Sequence, residues 1–150
     1  MSVLWGEGRG RVALAGATMG LVLAGCGPVP GADDAVAVTQ EFFAALSAHD
    51  PSTACGLLAP ATRESFEQDA ASSCDQALID GEAGLVLGPV ARRVEEAPGD
   101  SSVTVAGRQA QVLLGGEVTF LAVSGDSWRV TAAGCVPRPD RPYDCLLDGG

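Results

Sequence analysis

Four cysteines past residue 50, Cys55, Cys74, Cys135 and Cys145, constrain the fold of this chain more than any other feature. An even set of thiols in an exported chain reads as disulfide staples, because an oxidising compartment drives them to pair. Three pairings are open. Cys55–Cys74 with Cys135–Cys145 is favoured because both close short local loops, each adding about 3 kcal/mol in the loop-entropy account. The competing use is a four-cysteine zinc site, but C-x-x-C spacing is absent. The expectation is two disulfides, no metal and no cofactor.

Export is read from the first 26 residues. Arg9 and Arg11, set against Glu7, precede an apolar run over residues 12–23. That is the length of a signal-peptide core, short of the roughly 20 apolar residues that span a bilayer, and Gly27-Pro28 stops it. An uncleaved anchor helix is the less favoured alternative. Leu23-Ala24-Gly25-Cys26 resembles the lipobox of bacterial lipoproteins, in which the cysteine thiol receives a diacylglycerol and the leader is cut before it. The resemblance implies a signal peptide over residues 1–25, lipid attachment at Cys26 with a tether over 26–32, and a single domain over 33–150. It places that domain at the outer face of the cytoplasmic membrane. An ordinary secretory signal with a chance cysteine is the other reading. Each buried methylene contributes about 0.8 kcal/mol, so two or more acyl chains hold stably where one is marginal.

Taking Glu7, Arg9 and Arg11 from 19 acidic and 9 basic residues leaves 18 and 7, a formal charge of −11 for the processed chain. Such a balance excludes nucleic acid, which needs a basic footprint, and a polybasic grip on anionic lipid. All the basic residues are arginine, so a catalytic lysine is excluded as well.

Along the chain, Asp33 or Asp34 caps a helix reaching about Ala48, with Val38, Phe42 and Leu46 on one buried face. Asp50 and Pro51 start a second helix, as N-cap and first helical residue. A third begins near Pro60 around Phe66. Ser72 or Ser73 caps a turn bearing Cys74, Ala77, Leu78 and Ile79, ended by Gly81. After Gly84 the period reads as two. Residues 90–96 form an edge strand blunted by Arg92, Arg93, Glu95 and Glu96, and Val103 and Val105 mark another strand. Three more strands follow over residues 110–114, 117–123 and 127–132, separated by Gly115-Gly116 and Ser124-Gly125-Asp126. Residues 117–123 are apolar on both faces and therefore central. Trp128, Val130 and Ala132 share one face of the last strand. Helices first and an antiparallel meander second describe an α+β domain.

This order resembles the ketosteroid-isomerase-like, or nuclear-transport-factor-like, cone fold, with N-terminal helices packed on a curved antiparallel sheet. The chain is also similar to small lipoproteins of GC-rich Gram-positive bacteria. That likeness rests on Ala54-Cys55-Gly56-Leu57-Leu58-Ala59-Pro60-Ala61-Thr62-Arg63, on Phe120-Leu121-Ala122, and on residues 128–135 with a proline-rich tail to Cys145. It covers most of residues 35–145. The residues that carry it are cap, core and staple residues, and the fold hosts enzymes and binding modules alike.

Isomerase chemistry in this fold uses a carboxylate base with a tyrosine and a protonated acid. Here Tyr143 falls in the tail loop, outside the expected strands, and Glu117 lies near a turn. His49 beside Asp50 reads as a solvated cation at a helix end, against the alternative of a base and its orienter. No G-x-S-x-G, H-E-x-x-H or glycine-rich phosphate loop is present. Within the loop closed by Cys135 and Cys145, prolines flank Arg138, Arg141 and Tyr143. Two uses are open: a staple for the last strand, or a preorganised partner contact with those three residues as anchors. The leading expectation is a non-catalytic lipoprotein of the cell envelope that binds an exported protein or an apolar small molecule. An isomerase- or dehydratase-like enzyme is the alternative.

Overall fold

A computed structural model describes residues 30–97, 99–140 and 143–149. The leader, Cys26 and Arg141 lie outside the described residues. Among those described, no helix is long and apolar enough to cross a membrane.

Among the described residues five helices come first. Helix α1 (Ala32–Ser47) starts one residue before the expected domain boundary, with Gly31 as its N-cap in place of Asp33 or Asp34. The Gly31 N–H donates to Asp34 Oδ2 at 2.8 Å, and Asp33 and Asp34 stand in the first turn, where the helix dipole favours acids. Its inner face buries Ala35, Thr39, Phe42 and Phe43, with Val38 and Leu46 half-buried beside them. Helix α2 (Pro51–Leu57) has Asp50 as N-cap and Pro51 in its first turn, as expected. Helix α3 (Pro60–Ala70) buries Phe66, and helix α4 (Cys74–Asp80) is capped by Ser73, whose hydroxyl accepts the Gln76 N–H. Ile79 lies outside the α4 core, more than half exposed.

Helix α5 (Glu82–Glu96) replaces the edge strand expected over residues 90–96. Its buried residues, Ala83, Leu87, Ala91 and Val94, recur at helical spacing and pack in the core with α1, leaving Arg92, Arg93, Glu95 and Glu96 exposed. Gly84, Gly88 and Pro89 hide the helix from a local reading, since all three have low helical propensity. Pro89 removes one ladder bond, to the carbonyl of Leu85, a residue 76% exposed. Gly84 has a positional cause: a Cβ there would collide with the Leu78 carbonyl of α4.

The second half is one antiparallel sheet in the order β1 (Ser101–Ala106), β2 (Gln109–Leu114), β3 (Glu117–Ser124), β4 (Ser127–Pro137), β5 (Tyr143–Asp148). Strand β3 is central, as its two apolar faces required. One face packs on the helices through Ala110, Val112, Leu114, Leu121, Trp128 and Val130. The domain is therefore α+β, five helices against a five-stranded sheet.

Two findings revise the last strands. Val130 pairs with Leu121 but Ala132 pairs with Phe120, so Thr131 is an extra residue on β4. This bulge puts Ala132 on the Phe120 face, opposite Trp128 and Val130, so the three do not share a face. The bulge is tied to the helices: the Ala59 N–H donates to the Val130 carbonyl at 2.8 Å, and the Thr62 hydroxyl to that of Thr131 at 3.0 Å. The tail, in turn, is a strand. Cys135 stands opposite Cys145 in a ladder running from Ala132–Asp148 to Pro137–Tyr143. The disulfides join Cys135 to Cys145 and Cys55 to Cys74, the pairing that loop length favoured. The Cys55–Cys74 link ties α2 to α4. The adjoining Cys74 N–H donates to Glu67 Oε1, which also accepts from Arg63.

Candidate functional site

The layer between the helices and the sheet is filled: Phe42, Phe43, Leu114, Leu121, Trp128 and Val130 are each less than 2% exposed. Two polar side chains of β3 face into this layer, Glu117 and Thr119.

Glu117 is 6% exposed. Its Oε1 accepts the N–H groups of Gly134 at 2.9 Å and Cys135 at 3.1 Å, where β4 turns away from β3. Gly134 holds φ +68°, a left-handed conformation that glycine adopts freely, and a Cβ there would press on Leu146 and Leu87. Burial pushes the Glu117 carboxyl above its ordinary value, while the Cys135 and Gly134 amides, and more weakly the Arg93 charge, pull it back. The group acts as an acceptor for a broken ladder. Sequence reasoning noted Glu117 beside a turn but had no signal for this role, because its donors lie 17 and 18 residues away.

Thr119 is fully buried, and its hydroxyl has no hydrogen-bond partner among the described residues. Thr119→Val keeps the shape and removes the orphaned group. Urea unfolding should show the variant as stable as the parent, or more stable by about 1 kcal/mol. A loss of more than about 1 kcal/mol would mean that the hydroxyl is satisfied in solution.

Asp50 is bonded to Ser52 and Thr53 and, among the described residues, not to His49. Asp50 Oδ1 accepts the Thr53 N–H at 3.1 Å and Oδ2 the Thr53 hydroxyl at 2.7 Å, and these bonds lower its pKa. His49 occupies a left-handed position at the end of α1, φ +55°, and is exposed. The carboxylate is a helix cap. Cys55, Cys74 and Asp75 bring potential ligand atoms within 4.8 Å of one another, but the two sulfurs are bonded together and are not thiolates.

The tail residues divide. Arg138 forms an ion pair with Asp144 across the β4–β5 end. Tyr143 is on β5, half-buried, rather than in a loop. Its ring meets Phe120 edge to face with centroids 5.2 Å apart, and Gln111 Nε2 lies 3.5 Å from its hydroxyl. Both rings line a cleft of about 530 Å³ on the sheet face away from the packed core, between that face and the start of α3. Ala122, Ala132, Thr62 and Gln109 complete much of its wall. The apolar second face of β3 was legible in the sequence. That Tyr143 would join it was not, because β5 was read as a loop.

A second cleft, about 570 Å³, lies between α3, α4, α5 and β5, with Phe66, Ala77 and Leu146 inside and Asp69, Asp80 and Glu82 among its lining. Phe66 is the one ring lining this second cleft, whereas the first has a pair in contact, Phe120 and Tyr143. No protein-family model matches this chain, no curated protein matches it, and no solved structure matches it.

Proposed function

We propose that this protein is a lipid-anchored binding module of the cell envelope, held through Cys26 at the outer face of the cytoplasmic membrane, and that it is not an enzyme. Its scaffold, in this reading, is a ketosteroid-isomerase-like cone whose interior has been given over to packing. The observation that carries the reading is the contrast between the two sheet faces. The helix-covered face is filled by Phe42, Leu121 and Trp128, while the other keeps an open cleft with Phe120 and Tyr143 at its wall. Aromatic rings over small side chains suit an apolar small molecule or an apolar side chain of an exported protein. An isomerase-like mechanism would need a free carboxylate. Glu117 is the carboxyl whose burial favours that reading, and its Oε1 is taken by two backbone amides.

The anchor is tested first. Cys26→Ala should abolish acylation and release the protein from membranes or leave it unprocessed. A variant that still fractionates with membranes at the processed size would refute the lipid anchor. The cleft is tested by cross-linking in intact cells, comparing the parent with Tyr143→Ala. Loss of the captured molecule, with the melting transition retained, supports the cleft. Undiminished capture places the contact elsewhere.

A further inference from the structure

The charges expected to blunt an edge strand belong to α5. The true edge, β1, reads Ser-Ser-Val-Thr-Val-Ala over Ser101–Ala106, with no charge, no proline and no bulge along its register with β2. Natural sheets protect such edges with lysine, proline or covering elements. The opposite edge, β5, carries the charges of Asp144 and Asp148 where β1 has none, and a helix lies against each edge strand, α3 on β5 and α1 on β1. On β1 five of the six residues are exposed, Val105 to 41%. An uncharged strip of this kind in a chain of formal charge −10 is a place where a second acidic molecule approaches at least electrostatic cost.

The backbone shows which groups are open. The β1–β2 hairpin closes on Ala106 opposite Gln109 around a two-residue turn, and the Gly115 N–H donates to the Asp100 carbonyl at the other end. Even-numbered residues therefore direct their N–H and C=O groups toward β2, and Ser101, Val103 and Val105 direct theirs outward. Among the described residues no other segment pairs with those outward groups.

We propose that two copies of this chain join edge to edge through β1, antiparallel and two-fold symmetric about Val103. In this register Val103 faces its own copy and Ser101 faces Val105 of the partner, each pair exchanging both backbone bonds. Ser102 then stands opposite the partner's Thr104 on the other face, a hydroxyl pair that cross-strand packing favours. The two sheets continue as one across the axis, and Val105 is covered. A closed, self-complementary contact of this kind needs no partner of different sequence. It is small, at the low end of specific interfaces, so the association is weak and strengthens with local concentration.

The test uses the protein as recovered from producing cells, in whichever processed form it occurs. Sedimentation should show monomer and dimer in exchange, and hydrogen exchange should show the amides of Ser101, Val103 and Val105 gaining protection as concentration rises. The amides of Ser102 and Thr104, bonded to β2, should be protected throughout. Val105→Lys, at an exposed position, should weaken association about tenfold or more with the melting transition retained. Leu113→Lys, on the other sheet face and 39% exposed in the parent, should leave association unchanged. Three results would overturn the proposal: a monomer at every concentration, protection of the odd-numbered amides that ignores concentration, or a dimer broken by Leu113→Lys and not by Val105→Lys. The first leaves the edge unshared with a second copy, the second puts a different strand, or the chain's own, on it, and the third points to a face-to-face dimer.

Discussion

Trp128→Ala is expected to lower stability by about 3–5 kcal/mol, the range for truncating a large buried aromatic. The indole is 1% exposed and lies in one core with Phe42, Leu121 and Val130. Its Nε1–H also donates to the Gly31 carbonyl at 2.9 Å, joining β4 to the start of α1 across 97 residues. Trp128→Phe, which keeps most of the packing and drops that bond, should cost less, about 1–2 kcal/mol. Tyr143→Ala should fall well below Trp128→Ala, at about 1–2 kcal/mol, because it removes a half-buried ring and one edge-to-face contact. Urea unfolding under non-reducing conditions measures all three. A Tyr143 variant less stable than the Trp128 variant would place the structural centre of the domain on the tail side of the sheet.

The second large effect is at Glu117. Glu117→Ala leaves the Gly134 and Cys135 amides without their acceptor in a largely dry place, at about 1–3 kcal/mol for each, so a loss of about 2–6 kcal/mol is expected. Glu117→Gln retains an acceptor oxygen and should cost less. The pair also separates charge from hydrogen bonding. The folded-state pKa is raised above the ordinary 4.5, so the folded protein holds this proton more tightly than the unfolded chain. The stabilisation from that proton is full below the unfolded pKa and is lost as pH rises through the folded pKa. Stability of the parent relative to Glu117→Gln should therefore be greater near pH 4.5 than near neutrality. A parent that gains on the variant as pH rises would mean the two amides outweigh burial and the carboxylate is held ionised.

The same residue shows where sequence reasoning stops. Alternation along β3 identified a central strand correctly, since a strand buried on both sides must be apolar on both. It could not say that Glu117 would turn inward and accept from Gly134 and Cys135, because that contact exists only once β4 has bent away. The helix starts at Pro51 and Pro60, the hairpins at Gly115-Gly116 and Gly125-Asp126, and the local disulfide pairing were all legible. Each depends on residues close together in the chain.

The remaining features were decided at longer range. Helix α5 forms although Gly84, Gly88 and Pro89 weaken it locally, because Ala83, Leu87, Ala91 and Val94 gain a buried face in the core beside α1. Strand β5 forms although its segment lacks alternation, because the disulfide and β4 hold Cys145 opposite Cys135. Ala132 changes face because Thr131 is held out of register by Thr62. By itself the sequence determined the α+β order, the turn chemistry and the staples, all of which follow from local backbone preference and short loops. Only the tertiary structure decided that the interior is packed, that Tyr143 stands beside Phe120, and that the unguarded edge is β1, because burial and strand pairing are properties of surfaces that meet only after the chain has folded.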